Sequence, residues 1–138
     1  MALLSENIAI PSRQNSALRP PKTLFAANRF GQYCVPASSQ HRPAARAILA
    51  GDVWEPKTID FLTSRCGNGD VIHAGTYFGD FLPALSAAIA PGARVWAFEP
   101  SAENFQCAEI TLKLNDIRNV ELAQAALGAC AGTALLYT

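Results

Sequence analysis

The sequence predicts an α/β fold in which a parallel sheet is flanked by helices, and three observations carry that expectation. From Ala44 onward, short apolar runs alternate with segments of helical period. One such run, Val71 to Ala74, stops at a glycine loop, Gly75-Thr76-Tyr77-Phe78-Gly79. A second, Arg94 to Phe98, ends in the lone carboxylate of Glu99. A strand needs a long crossover to return in the same direction, so alternation at this spacing makes the sheet parallel, with right-handed connections.

Taken in chain order, residues 1–43 carry Pro11, Pro20, Pro21, Pro36 and Pro43 among scattered serines and arginines, without a sustained period. They are expected to form an irregular arm, and residues 44–138 a partial cofactor-binding domain. Ala44 to Ala50 reads as a short helix stopped by Gly51. Pro56 to Cys66 reads as a second, with proline in its first turn and Ile59, Phe61 and Leu62 on its buried side. Gly67-Asn68-Gly69-Asp70 is a turn. Val71 to Ala74 then forms a strand, Asp80 to Ala90 a helix that tolerates Pro83 in its first turn, and Arg94 to Phe98 a strand. Ser101 caps a helix to Leu114 whose Phe105, Ala108, Ile110 and Leu112 face the sheet. Val120 to Gln124 is a strand, and Thr133 to Tyr137 a further short one.

Composition narrows the function classes. The chain has 138 residues, half of them apolar, which suits one modest core. Eleven basic residues balance eleven acidic ones, so no summed field would hold nucleic acid or an anionic bilayer. Cys34, Cys66, Cys107 and Cys130 lie far apart with no CxxC pair, which reads as reduced structural thiols and no metal site. The N-terminus lacks a basic start followed by a long apolar stretch, and the apolar region between Phe81 and Phe98 is interrupted by Pro83, Pro91, Gly92 and Arg94. A cytoplasmic protein is the expectation.

In a parallel sheet, ligands lie beyond the carboxyl ends of the strands, where both the glycine loop and Glu99 fall. A carboxylate at that edge can accept both hydroxyl hydrogens of a ribose. Dinucleotide sites usually show GxGxxG, whose middle glycine admits a pyrophosphate; here Thr76, Tyr77 and Phe78 fill the loop. That bulk favours a phosphate-free cofactor, S-adenosylmethionine, whose amino-acid end would rest on the loop backbone. A nicotinamide-dependent oxidoreductase fragment ranks behind it. A non-catalytic nucleotide-binding or interaction module, pairing through an open sheet edge into a homo-oligomer, is the alternative from a different class.

The stretches Gly51-Asp52-Val53-Trp54-Glu55-Pro56, Gly69 to Gly75, Phe78-Gly79, Ala97-Phe98-Glu99-Pro100, Asn115 and Asn119-Val120-Glu121-Leu122 together resemble the FkbM-type family of S-adenosylmethionine-dependent methyltransferases. The resemblance covers residues 45 to 138. It implies a Rossmann-like fold and O-methylation of a small-molecule hydroxyl on a sugar or natural product. It also implies cofactor contacts from Gly75, Thr76, Tyr77 and Gly79 around the methionine part, Glu99 on the ribose, and Ala125 and Ala126 near the adenine. The family pattern prefers an acid where His73 stands, so His73 would face the cofactor amine as a hydrogen-bond acceptor when neutral. The family's next core strand lies beyond Thr138, so the resemblance implies a C-terminally truncated, incomplete Rossmann-like sheet. Read without the resemblance, His73 is a bonded strand residue, Asp80 a helix-start carboxylate, and Trp54 and Trp96 are core or interface anchors. No residue is singled out as the general base.

Overall fold

The structure, a computed structural model, describes residues 22–137. It opens with an antiparallel hairpin of β1 (Thr23–Asn28) and β2 (Gly31–Pro36). The expectation of an irregular arm over 1–43 is therefore corrected for its second half; residues 1–21 lie outside the described residues. The prolines dominated the composition, but the run between them holds the β-forming residues Thr23, Leu24, Phe25, Tyr33 and Val35 around a turn. In that turn the Asn28 side chain accepts the Phe30 N–H at 2.9 Å, and Gly31 adopts a φ of 152°.

A 3-10 turn over Ala37–Ser39 leads to α1 (Pro43–Leu49), followed by α2 (Pro56–Thr63), β3 (Val71–Ala74), α3 (Leu82–Ala88), β4 (Val95–Phe98), α4 (Ala102–Leu114) and β5 (Val120–Ala123). Each of α1, α2 and α3 carries a proline at its first or second position, where the missing N–H has no intrahelical acceptor to lose. α2 stops short of the expected Cys66, because the Thr63 and Ser64 hydroxyls turn back on the carbonyls of Ile59 and Phe61. α3 starts after Asp80 and ends before Ile89, whose backbone is extended on the approach to Pro91. The expected strand over Thr133–Tyr137 is absent: residues 124–137 hold no strand, and Leu135 and Tyr137 are exposed. Among the described residues no neighbouring strand offers that segment a ladder, and an unpaired strand does not persist.

The three parallel strands lie in the order β3-β4-β5, with Val71, Val95 and Val120 in one row and Ala74, Phe98 and Ala123 in another. One face, bearing Val71, Val95, Ala97, Val120 and Leu122, packs with Leu82, Leu85, Ile89 and Leu112 into one core. The other presents Ile72 and Trp96 to solvent. A second core gathers Tyr33, Cys34, Val35, Ala45, Ile48, Phe78 and Cys107 under the hairpin. Helix α4 serves both. Its buried residues are Cys107, Ala108, Thr111 and Leu112, two adjacent stripes rather than the expected single face; Phe105 and Ile110 are only half-buried. On α2, Ile59 is buried but Phe61 is exposed, with the Arg65 guanidinium over its ring.

Two polar side chains on α4 fasten the hairpin to the rest. Thr111 Oγ1 accepts the Cys34 N–H at 3.0 Å and donates to the Phe78 carbonyl at 3.1 Å, fully buried. One turn on, the Asn115 amide pairs with the backbone of Gln32, accepting its N–H at 2.9 Å and donating to its carbonyl at 2.7 Å. Thr111→Val keeps the shape and strands two backbone groups, so it should lower the unfolding free energy by about 3 kcal/mol in urea titration. Thr111→Ser should cost about 1 kcal/mol, the value of one methyl. Gly31→Ala would drive a Cβ into Asn115 Oδ1, and a loss of about 1–3 kcal/mol in the same titration is the expected outcome.

Candidate functional site

The loop after β3 is built from the end of β4. The N–H groups of Gly75 and Thr76 both donate to the Phe98 carbonyl, at 2.8 and 3.0 Å, and Gly79 N–H closes the turn on the Thr76 carbonyl at 2.9 Å. Tyr77 N–H donates to Glu99 Oε2 at 2.8 Å. The glycine loop and the acid therefore meet in one place. Gly75 has a φ of 76° and open space where a side chain would stand, whereas at Gly79 a Cβ would press on Leu82 at 3.3 Å and on Ala108 at 3.6 Å. Gly75 is the open position of the loop, and Gly79 is a packing position that lets α4 approach.

Glu99 is 5% exposed. Its second oxygen accepts the Ser101 N–H at 2.9 Å and lies 3.5 Å from the Asn104 amide. Ser101 stands at the N-cap of α4 as expected, but its hydroxyl makes no capping bond; the Glu99 carboxylate instead holds the Ser101 amide at the entry to the helix. An ionised carboxylate has about four lone-pair sites, which leaves Glu99 acceptor capacity for a ligand hydroxyl. The loop amides are another matter. Those of Gly75, Thr76, Tyr77 and Gly79 all donate to acceptors within the chain.

His73 Nδ1 lies 2.5 Å from Thr76 Oγ1, and its ring stacks on Phe81 with centroids 5.9 Å apart. Burial pulls the imidazole below its usual range, so at neutral pH it is uncharged and shares a hydrogen bond with the threonine hydroxyl. Thr76 is fully buried, and its hydroxyl is spent on His73 rather than directed outward. Tyr77 is half-buried, with φ at 55° and its ring tilted against Phe78. A non-glycine residue held at such a φ costs on the order of 1–3 kcal/mol. Ala125 and Ala126 are exposed beyond β5, on the same edge as Glu99, whose N–H donates to the Ala123 carbonyl at 3.1 Å.

The sequence reads Asp80 as a helix-start carboxylate rather than a general base. It precedes α3 rather than starting it, is 9% exposed, and has its carboxyl pushed up to about 7 by burial, against the amides of Asp80 and Phe81 and with help from the charge of Glu55. Its place directly after Gly79 is visible in the sequence, but its burial is not. Cavities of about 630 Å³, beside Trp54 and Glu55, and about 580 Å³, beside Pro83 and Asn119, lie away from Gly75 and Glu99. Among the described residues, no three His, Cys, Asp or Glu side chains stand close enough to hold a metal ion, and no helix is long and apolar enough to cross a membrane.

Asp80 keeps its proton in the folded chain up to about pH 7 and loses it near pH 4 when unfolded, so folding takes up a proton between those values. Its contribution is full below about pH 4 and is lost as pH rises to about 7, at about 1.4 kcal/mol per unit of separation. His73 acts in the opposite sense: its lowered value favours the fold above pH 6.5 and less as pH falls below it. Urea midpoints of Asp80→Asn should therefore lack the decline between about pH 4 and 7 and keep the loss on the acid side of His73.

No family model matches this sequence, and no curated protein sequence is significantly similar to it. Among solved structures, it is similar to a methyltransferase from Geobacter sulfurreducens at 19% identity, over 64% of this chain and 48% of that one, with a TM-score of 0.48. It is also similar to wild-type Trm5b from Pyrococcus abyssi at 15% identity, over 75% and 28% of the two chains, with a TM-score of 0.49. A third is a SAM-dependent methyltransferase from Aquifex aeolicus at 20% identity, over 64% and 44%, with a TM-score of 0.45. The chain spans less than half the length of each.

Proposed function

We propose that this chain is the cofactor-binding half of an S-adenosylmethionine-dependent methyltransferase of the FkbM type, acting on a small-molecule hydroxyl of a sugar or natural product in the cytoplasm. The observation that carries the reading is the 2.8 Å bond from Tyr77 N–H to Glu99 Oε2, which brings the glycine turn and the strand-end acid onto one point. Glu99 would receive the ribose hydroxyls on its remaining lone pairs, beside the open face of Gly75. Tyr77 would wall the site, and Ala125 and Ala126 would border the adenine. His73 and Thr76 would shape the loop from behind. A neutral imidazole there does not repel an ammonium, which makes the loss of the family's acid tolerable.

When bound, the cofactor supplies an electrophilic methyl on a sulfonium that leaves as a neutral thioether. The chain's own task is then orientation, since holding donor and acceptor in line provides much of the acceleration of such a transfer.

A second reading has its own support. Among the described residues β3 is an edge strand with one neighbour, and Ile72 on it is 68% exposed, so a second copy could extend the sheet there. Light scattering tests it: a species of one chain's mass at all concentrations would dismiss edge pairing.

Titration calorimetry with S-adenosylmethionine and S-adenosylhomocysteine is the experiment for the first reading. Both should bind, and Glu99→Gln, which removes the charge and one acceptor, should weaken each by about tenfold or more. No heat from either ligand in folded protein would overturn the assignment.

A further inference from the structure

The zero net charge of the chain averages two unlike parts. Residues 7–51 hold Arg13, Arg19, Lys22, Arg29, Arg42 and Arg46 and no Asp or Glu, whereas residues 52–138 hold ten acids against five cations. A summed field conceals that asymmetry, and a basic segment of this kind is the electrostatic footprint of a polyanionic partner. The described part of the segment is the hairpin with α1, and the fold gathers its cations. Ala37 N–H donates to the Lys22 carbonyl at 2.9 Å, which sets Lys22 beside the 3-10 turn. The Ser39 carbonyl accepts the Arg42 N–H at 2.8 Å, so the same turn delivers Arg42 to the start of α1. Arg46 follows one helical turn on, about 6 Å along the axis, with its N–H on the Arg42 carbonyl. Lys22, His41, Arg42 and Arg46 are all exposed, while Ala45 and Ile48 of α1 are buried in one core with Leu24 and Ala26 of β1.

Among the described residues, none of Lys22, Arg42 and Arg46 lies within ion-pair distance of an acid. Like charges one turn apart oppose a helix, and a counter-anion lifts that penalty. The patch has limits on both sides. Arg29, past the far end of β1, is turned toward Asp60 at 3.9 Å, and the Glu103 carboxylate is taken up by the Ser38 hydroxyl at 2.7 Å. Beside the cations stands an apolar group: Phe25, three residues on from Lys22, is 63% exposed on β1, whose one strand neighbour among the described residues is β2. Unpaired cations next to an exposed ring can hold phosphates and stack a base. A lipid surface asks for a wider apolar area than one ring, and a double helix keeps its bases stacked away from Phe25. We infer that the exposed side of the hairpin and α1 binds single-stranded nucleic acid, with Lys22, Arg42 and Arg46 on its phosphates and the Phe25 ring against a base. The inference is independent of the cofactor reading, since it uses neither Gly75 nor Glu99.

The test is fluorescence anisotropy of the full chain with labelled oligouridylate and oligothymidylate of about twelve nucleotides. Both should bind saturably at about 50 mM salt, and three phosphate contacts give a slope of about −2 for log affinity against log salt. The paired substitution Arg42→Gln and Arg46→Gln should weaken binding about tenfold or more and bring the slope to about −0.7. Phe25→Ala should weaken binding about tenfold and leave the slope as it was, because a ring releases no counterions. Lys57→Gln with Arg65→Gln, which removes as much charge outside the patch, should change neither. All these side chains but Arg65, which lies over the Phe61 ring, are exposed without a described partner, and circular dichroism confirms that each variant is folded. No anisotropy change at about 50 mM salt, or equal binding by the Arg42 and Arg46 variant, overturns the inference. Two parallel measurements identify the rival occupants. Co-sedimentation with phosphatidylserine vesicles without binding to either oligonucleotide would give the patch to lipid. Salt-reversible self-association in light scattering, again without oligonucleotide binding, would give it to the acidic part of a second copy. Either result overturns the assignment to nucleic acid.

Discussion

The hydroxyl of Thr111 holds this molecule's two halves in register. It is fully buried, and it accepts from the backbone of β2 while donating to the carbonyl of Phe78 in the glycine loop. Neither backbone group has water to fall back on. Because the unmet alternative costs about 1–3 kcal/mol for each group, this one side chain fixes the distance between hairpin, α4 and loop more firmly than the surrounding apolar contacts. Those contacts are non-directional, and Cys34, Cys107 and Phe78 would tolerate a slide that the hydroxyl does not. Asn115 repeats the arrangement one turn later, bonding Gln32 as a neighbouring strand would.

The site inherits its rigidity from that tie. Phe78 belongs to the hairpin core and Leu82 to the sheet core, and the residues between them, Gly79 to Phe81, bridge the two. Tyr77, on the near side of Phe78, is pinned in a left-handed conformation by the carboxylate of Glu99. An energetically costly backbone state persists only where its surroundings over-determine it, and here both flanks do. Glu99 also takes the amide of Ser101, the N-cap of α4, so the acid, the loop and the helix that carries Thr111 form a closed circuit of bonds. A ligand hydroxyl at Glu99 would meet an acceptor already oriented, with no side-chain entropy left to lose there.

How much of this the sequence disclosed depended on how local the cause was. Val71 to Ala74 and its neighbour up to Phe98 were legible because a short β-forming run bounded by glycines, or by a turn and an acid, states its own limits. The meeting of Gly75 to Gly79 with Glu99 was legible too, since parallel register between adjacent strands obliges their ends to coincide. The hairpin was hidden by averaging: Pro20, Pro21, Pro36 and Pro43 bracket Thr23 to Pro36 and swamp its β-forming content. Thr111 was missed because a threonine in a helix offers no hint of whether a strand backbone and a loop carbonyl will lie beside it. The burial of Asp80 escaped for the same reason, since a carboxylate after a glycine gives no hint of what tertiary contacts will cover it. The final segment failed in the opposite sense: Thr133 to Tyr137 has strand composition but no ladder to join.

The two faces of the sheet are treated unequally, and the inequality bears on where chemistry can sit. The face toward α3 and α4 is closed by Leu82, Leu85 and Leu112. On the other, Ile72 and Trp96 stand in one row with Glu121, exposed, but with polar restraints: the Trp96 indole donates to Asp70 at 2.8 Å, and Arg94 pairs with Glu121. Asp70 sits below the ordinary carboxylate range because of the Trp96 indole and the Arg94 amide, so this rim stays charged through neutral pH. Parallel sheets are ordinarily covered on both faces, which makes the rows of Ile72 and Trp96 a surface for packing. The strand-end edge, by contrast, is where Gly75 is open and Glu99 keeps spare lone pairs. Apolar surface in one direction and unspent polar capacity in another separate the two tasks: the sheet's bare face suits association, and its carboxyl edge suits a ligand.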